Sequence, residues 1–222
     1  HNASCRYLRR NLAGLFRRAG LLNATDITNG LTGAWRITVR DKRAKDCFDL
    51  SAEGAMRSFT ALLLSLPVIF FTSTLSWRFA GEAFDLGEDI SFGLFITTEL
   101  LSTIVYWALF LAAMSRISRM MRLEAYYTPY LITYNWGTLF TTLAFALPLV
   151  PHAAGIYPAT TAFLLAMPAI ALLAWYRYQI AREVLGAEAG PAAGIVIFEV
   201  VLSLSVDQLL GMLLMPGAGV SA

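Results

Sequence analysis

Charged residues divide most of the chain into long apolar segments. The longest stretch without Asp, Glu, Lys or Arg covers residues 125–176, which is 52 residues. A helix that crosses a bilayer needs ~20 apolar residues, so this stretch can hold two such helices. Between the two halves lie turn-forming residues that indicate a tight turn, and therefore a helical hairpin: Pro148, Pro151, Gly155 and Pro158.

Five apolar segments of this kind follow one another along the chain. In lipid, every backbone polar group must be bonded within its own segment or within a closed barrel, so we predict that each segment is a helix. The predicted fold class is all-α, a polytopic membrane helix bundle. It has five transmembrane helices, at about residues 58–77, 90–115, 130–150, 156–176 and 192–215.

The segment before the first span, residues 26–57, has a different pattern. Within it, Ile27, Leu31, Ala34 and Trp35 fall near one face of a helix. This spacing predicts a short amphipathic helix that lies in the membrane interface. We predict that residues 1–25 form a basic tail that is either disordered or not native to the protein, and that residues 216–222 form an external C-terminal tail.

The charges predict how the helices are oriented. The chain is 57% hydrophobic and only 14% charged, whereas soluble domains carry about 25% charged residues. Lys and Arg number 11, 1, 3, 0, 2 and 0 in the six segments outside the spans. Because cytoplasmic segments carry the excess of Lys and Arg, the N-terminus is predicted to be cytoplasmic and the C-terminus external. The predicted location is a bacterial inner membrane. The basic N-terminus would also contact anionic lipid.

Three short stretches carry a resemblance to a known family. The first, residues 48–59, contains Phe48, Asp49, Gly54 and Arg57 directly before the first span; the others are residues 127–136 and 180–186. Together they resemble the Yip1-like membrane proteins, especially the compact bacterial members. The resemblance implies a five-helix fold with a cytoplasmic N-terminus. Its eukaryotic members are associated with vesicle transport and small GTPases; for the bacterial members it implies no reaction and no ligand.

Two acids in the predicted spans, Glu99 and Asp207, form a candidate polar site. Ionisable groups at membrane depth are costly and usually face a partner or a wet cavity. With a rise of ~1.5 Å per residue, both acids fall on the order of 10–14 Å from the outer edge, so they can meet. One hypothesis is that they share a proton or bind a cation. The other is that they only form hydrogen bonds between helices, which stabilise packing.

A third acid, Glu199, lies eight residues before Asp207 on a similar helix face. It falls in the inner third of the predicted bilayer, and Asn135 falls at a comparable depth. We expect Glu199 to form an ion pair that fixes the packing of the helices. Three arginines near the inner edge have side chains long enough to extend toward it: Arg57, Arg177 and Arg182.

No catalytic or cofactor motif is visible, such as a nucleophile elbow, a phosphate-binding glycine loop or HExxH. Cys5 and Cys47 belong to no metal-ligand cluster, and no nucleic-acid module is present. We therefore predict a non-enzymatic protein without cofactor or metal. Its predicted role is to organise the membrane or to bind a protein partner or further copies of itself, as a Yip1-like protein. The alternative is a transporter of a small solute, an ion or protons that uses Glu99 and Asp207; a cavity that touches both acids would favour it, and a dry contact would favour the organiser.

Overall fold

The computed structural model describes residues 24–83 and 91–215, and these residues form helices and turns with no β-strand among them. Three predicted parts of the chain lie outside the described residues: residues 1–23 of the predicted tail 1–25, the predicted tail 216–222, and residues 84–90 of the first predicted loop. The α-helices are α1 (Ala24–Thr38), α2 (Ala52–Ala83), α3 (Phe92–Met120), α4 (Tyr127–Ala146), α5 (Leu149–Ala153), α6 (Ala159–Gln179) and α7 (Ala189–Leu214). Shorter helical turns cover Lys42–Cys47, Glu124–Tyr126 and Ile180–Val184.

Four segments of the described chain are long and apolar enough to cross a membrane: Ala52–Phe79, Phe92–Met120, Ala159–Val184 and Ala189–Leu214. The all-helical class is thereby confirmed, and four of the predicted spans coincide with helices of the expected kind. The third predicted span coincides with α4, which is helical but does not belong to this group. Its sequence, YTPYLITYNWGTLFTTLAFA, is rich in tyrosine and threonine and contains Asn135, and its mean hydropathy falls below that of the four segments.

Helix α4 lies at the centre of the bundle, where its polar side chains are covered by protein. Tyr130, Tyr134 and Asn135 are fully buried. Gly137 lets α6 approach closely, because a Cβ atom at this position would lie 1.9 Å from the Tyr176 ring. The Tyr176 hydroxyl donates to the Thr133 carbonyl at 2.7 Å, so the end of α6 packs against the first half of α4.

Helix α1 packs across α4 through its glycine face. Gly30 lies against the Trp136 ring, where an added Cβ would be 2.2 Å from the nearest ring carbon. The Trp175 indole of α6 donates to the Thr38 carbonyl at 3.0 Å, which fixes the other end of α1. Of the residues predicted to share an apolar face of α1, Ala34 is buried against the bundle and Trp35 is 54% exposed.

A candidate polar cavity between the helices

One cavity of about 430 Å³ lies between α2, α3, α4, α6 and α7. It is lined mostly by apolar side chains and by the hydroxyl groups of several threonines. The charged residues of its lining are Glu99, Arg177, Glu199 and Asp207. The structure therefore brings all three predicted acids to the same space, although they come from two helices that are distant in the sequence.

Glu99 of α3 and Asp207 of α7 line the cavity within electrostatic range of each other. The Glu99 carboxylate lies close to the hydroxyl of Ser73, and Asp207 lies close to the hydroxyl of Ser102. Both serines are buried. Glu99 is half-buried and Asp207 is exposed, so this pair of acids lies where the cavity approaches the surface of the bundle.

Glu199, eight residues earlier in α7, forms a buried ion pair with Arg177 of α6. The distance from Arg177 Nε to Glu199 Oε1 is 2.9 Å, and the two side chains are only 5% and 8% exposed. Glu199 Oε1 also accepts hydrogen bonds from the hydroxyls of Tyr106 at 2.7 Å and Tyr134 at 3.1 Å. Glu199 Oε2 is buried and accepts no hydrogen bond from the described residues.

The other two nitrogens of the Arg177 guanidinium also donate hydrogen bonds to the protein. Nη1 donates to the Tyr134 carbonyl at 3.1 Å, and Nη2 donates to the Thr138 hydroxyl at 2.8 Å. The guanidinium carbon lies 3.7 Å from the centroid of the Tyr134 ring, which is a cation–π contact. The charges of Arg177 and Glu199 therefore neutralise each other, and the net charge of the cavity depends on Glu99 and Asp207.

Asn135 was predicted to lie at the depth of Glu199, and it does not line the cavity. Its Nδ2 donates to the Ser58 hydroxyl of α2 at 2.9 Å, and the side chain is fully buried. Residues 134 and 138 of α4 face Arg177, whereas residue 135 lies about 100° further round the helix. Of the arginines considered for Glu199, Arg57 and Arg182 are engaged elsewhere. Arg57 pairs with Asp26 at 3.4 Å, and Arg182 donates to the Ala187 carbonyl at 3.1 Å.

The first of the three stretches that carry the family resemblance lies where α1 meets the start of α2. Arg57 forms an ion pair with Asp49, and Phe48 packs against Gly33 of α1. Gly54 has no room for a side chain, because an added Cβ would lie 1.9 Å from the Asp49 carbonyl oxygen. Hydrogen bonds from Ser51 and the charge of Arg57 hold the pKa of Asp49 below its usual value. These contacts fasten α1 to the bundle.

Sequence reasoning missed the tyrosines that complete the buried network. The Tyr106 hydroxyl bonds both Glu199 and, at 3.0 Å, the Tyr134 hydroxyl. A signal was present: a tyrosine in the interior of an apolar span needs a partner for its hydroxyl when buried. Within residues 24–83 and 91–215, no three His, Cys, Asp or Glu side chains are grouped to hold a metal ion.

No family model, no curated protein and no solved structure matches the chain.

Proposed function

We propose that this chain is a five-span membrane protein that binds a small cationic solute or a proton at Glu99 and Asp207 and transports it. The observation that carries this proposal is the cavity. Both acids line one space of about 430 Å³ rather than a dry packed contact between helices. That is the arrangement expected of a transport site, and it favours transport over a purely structural role for the acids.

Two contacts and the length of α4 support five crossings. The Tyr127 hydroxyl donates to the Leu111 carbonyl at 2.8 Å, so α4 begins beside the second half of α3. The bond from Tyr176 to Thr133 places the end of α6 beside that same part of α4. Helix α4 therefore runs opposite to both of these apolar helices. Its 20 residues extend ~30 Å, which matches the thickness of the hydrocarbon core.

With five crossings, the excess of Lys and Arg favours a cytoplasmic N-terminus and an external C-terminus in a bacterial inner membrane. Glu99 and Asp207 then lie toward the outer side, and the Arg177–Glu199 pair lies deeper. Eight residues separate Glu199 from Asp207 along α7, which corresponds to ~12 Å. The cavity would thus extend inward from the acid pair for about a third of the bilayer.

The charge of the cavity determines what it can bind. Arg177 and Glu199 cancel, so the acid pair carries up to two uncompensated negative charges. Unpaired charges at membrane depth are strongly unfavourable, and a proton or a bound cation relieves them. Alternate loading of the same two carboxylates with a proton and a cation would support exchange transport. The hydroxyls of Thr103 and Ser203 line the same space and can accept hydrogen bonds from a cationic head group.

Flux measurements in proteoliposomes test the proposal. We expect the double variant Glu99→Gln/Asp207→Asn to lose proton flux driven by a gradient of Na⁺ or ethylammonium, by about ten-fold or more, because it keeps the size of both side chains and removes their charge. Glu124→Gln, which changes an exposed acid outside the cavity, serves as the matched control and should keep wild-type flux.

If the double variant keeps wild-type flux and an intact helical fold, transport through this pair of acids is wrong. Unchanged flux together with lost assembly would instead support the organiser role.

The Yip1-like organiser role remains a second candidate, and it has its own supporting observation. Near the end of α1, Trp35 is 54% exposed, and Val39, the residue directly after the helix, is 52% exposed. Arg36 lies between them in the sequence, and Arg40 follows Val39. An aromatic ring among basic residues suits the head-group region of an anionic leaflet or a protein partner bound there. Purification from native membranes tests this role, since a partner that binds α1 should be lost from Trp35→Ala and kept by the cavity variants.

A further inference from the structure

We propose that the cavity opens sideways into lipid between α6 and α7, and that its substrate is an amphiphilic amine with one cationic head group and an alkyl chain. This inference rests on the proposed function, because it specifies the substrate class of the same acid pair. Three features of the described residues carry it: the position of the opening, the chemistry of its rim and the charge inside.

The opening is located by the lining residues that are exposed at the surface of the bundle. All of them belong to α6 and α7, whereas the lining residues of α2, α3 and α4 are buried or half-buried. A cavity whose exposed lining comes from two neighbouring helices reaches the surface along the seam between them. The exposed lining residues are Ile170, Ala174, Val200, Leu204 and Asp207.

The rim of this opening is apolar and lies near the middle of both helices. Ile170, Val200 and Leu204 are 49%, 51% and 60% exposed. Val200 is the twelfth of the 26 residues of α7, and Ile170 is the twelfth of the 21 residues of α6. In a bilayer this depth is hydrocarbon, so a solute that enters here must come from the lipid and must be largely apolar itself.

The interior nevertheless requires a positive charge. Glu99 and Asp207 are the uncompensated charges of the lining, and the buried indole of Trp107 offers an aromatic face beside which an ammonium group is stabilised. An amphiphilic amine meets both requirements, because its head group can neutralise the acids while its chain passes between Ile170 and Val200. An anionic or neutral amphiphile would leave the acid pair unneutralised.

Glu199 is a second acceptor further along the cavity. The residue lines the cavity and is only 6% exposed, and its Oε2 atom accepts no hydrogen bond from the described residues. Buried carboxylate oxygens are rarely left without a donor. A primary ammonium has three N–H donors, so Glu199 Oε2 can bind the head group after it moves ~12 Å inward along α7.

Native mass spectrometry of the purified full chain tests the substrate class. The probes are dodecylamine, propylamine, which has the same head group without the chain, and dodecanol, which has the same chain without the charge. We expect one dodecylammonium to bind about ten-fold more tightly than either of the others. The Glu99→Gln/Asp207→Asn variant should lose this preference.

The portal is tested by paired variants on the same helix. Val200→Trp places a large ring on the rim, whereas Val201→Trp places it on an exposed neighbour that does not line the cavity and is 56% exposed. We expect Val200→Trp to slow the uptake of dodecylammonium from lipid nanodiscs by about ten-fold, and Val201→Trp to leave it unchanged. Ala174→Phe on the rim and Ala171→Phe outside it form a second pair, which is informative if Val200→Trp does not fold.

The outcomes separate this inference from the function on which it rests. Equal effects of the rim and control variants, or equal affinity for propylamine and dodecylamine, would overturn the lipid portal. If the binding of either amine still required Glu99 and Asp207, the proposed cation site itself would stand. Amine binding that is indifferent to both acids would overturn the cation site and the portal together.

Discussion

At the scale of single residues, the central contact is the Arg177–Glu199 pair. Removing two charges from water costs several kcal/mol per ion, and close pairing with further hydrogen bonds is needed to offset that cost. Here the pair has such bonds on both sides, from Tyr106 and Tyr134 to the carboxylate and from the guanidinium to Thr138. The pair holds α6 against α7 in the buried part of the cavity, beside the proposed opening between these two helices.

Breaking this pair from one side should be much more harmful than removing it entirely. Arg177→Met leaves the Glu199 charge buried and uncompensated, so we expect the free energy of unfolding to fall by about 3–5 kcal/mol. The double variant Arg177→Met/Glu199→Gln should recover a large part of this loss. Unfolding in mixed micelles, followed by circular dichroism, measures both.

The exposed pair of Arg40 and Glu183 is the control for that experiment. Its closest nitrogen–oxygen distance is 3.7 Å, and its side chains are 64% and 56% exposed. Exposed pairs contribute little, so Arg40→Met should change the stability by less than about 1 kcal/mol. Equal losses for Arg177→Met and Arg40→Met would show that the deep pair is solvated, which would contradict the burial of Arg177 and Glu199 described here.

At the scale of elements, α4 is less hydropathic than the four apolar helices around it, and its neighbours cover its polar side chains. Its tyrosines, threonines and Asn135 are covered by α2, α6 and α1 rather than by lipid, and most of their polar atoms have partners inside the bundle. The close approach of α6 depends on Gly137. A polar helix of this kind is stabilised by its neighbours, so its packing must be tight.

Gly137→Ala tests this packing. The added methyl group would overlap the Tyr176 ring, which is itself buried, so the two helices must move apart. We expect a loss of about 1–3 kcal/mol in the free energy of unfolding, as is typical of overpacked cores.

Gly194→Ala is the matched control, because Gly194 is also helical and has open space around it. Alanine in a helix interior is favoured over glycine by roughly 0.5–1 kcal/mol, so this variant should be neutral or stabilising. A neutral Gly137→Ala would mean that α4 and α6 are not in the close contact described.

The sequence patterns were sufficient to predict the apolar helices, but they were not sufficient to predict which side chains of these helices contact each other. Long apolar segments with few charges predicted the four apolar helices, because a span must be long and nearly uncharged whatever surrounds it. They could not select Arg177 over Arg57 and Arg182 as the partner of Glu199, since all three were predicted to lie near the same edge of the bilayer and only the packing of α6 against α7 decides. The sequence could not show whether Asn135 lines the cavity for a similar reason: the depth of a residue along a helix can be estimated from the sequence, but the direction of its side chain around the helix depends on the packing.

At the scale of the whole molecule, the cavity is a product of assembly. Its lining comes from five helices, and residues as distant in sequence as Thr72 and Asp207 face the same space. No single hairpin could form it. The proposed opening lies between α6 and α7. The other three helices, α2, α3 and α4, close the remaining sides, so that the charged residues inside are shielded there. A cation site, five crossings and the lateral portal are therefore parts of one proposal about this assembly.

Infrared difference spectroscopy tests the central claim most directly, because it observes the carboxyl groups themselves. Dodecylamine is added at constant pH to the protein in nanodiscs, and Na⁺ is the second probe. We expect carboxyl stretching bands to change in the wild-type protein and in Glu124→Gln, and to remain constant in Glu99→Gln/Asp207→Asn. Two results would contradict a cation site at Glu99 and Asp207. One is that the bands of the double variant change as those of the wild type do; the other is that neither cation changes the bands of the wild type.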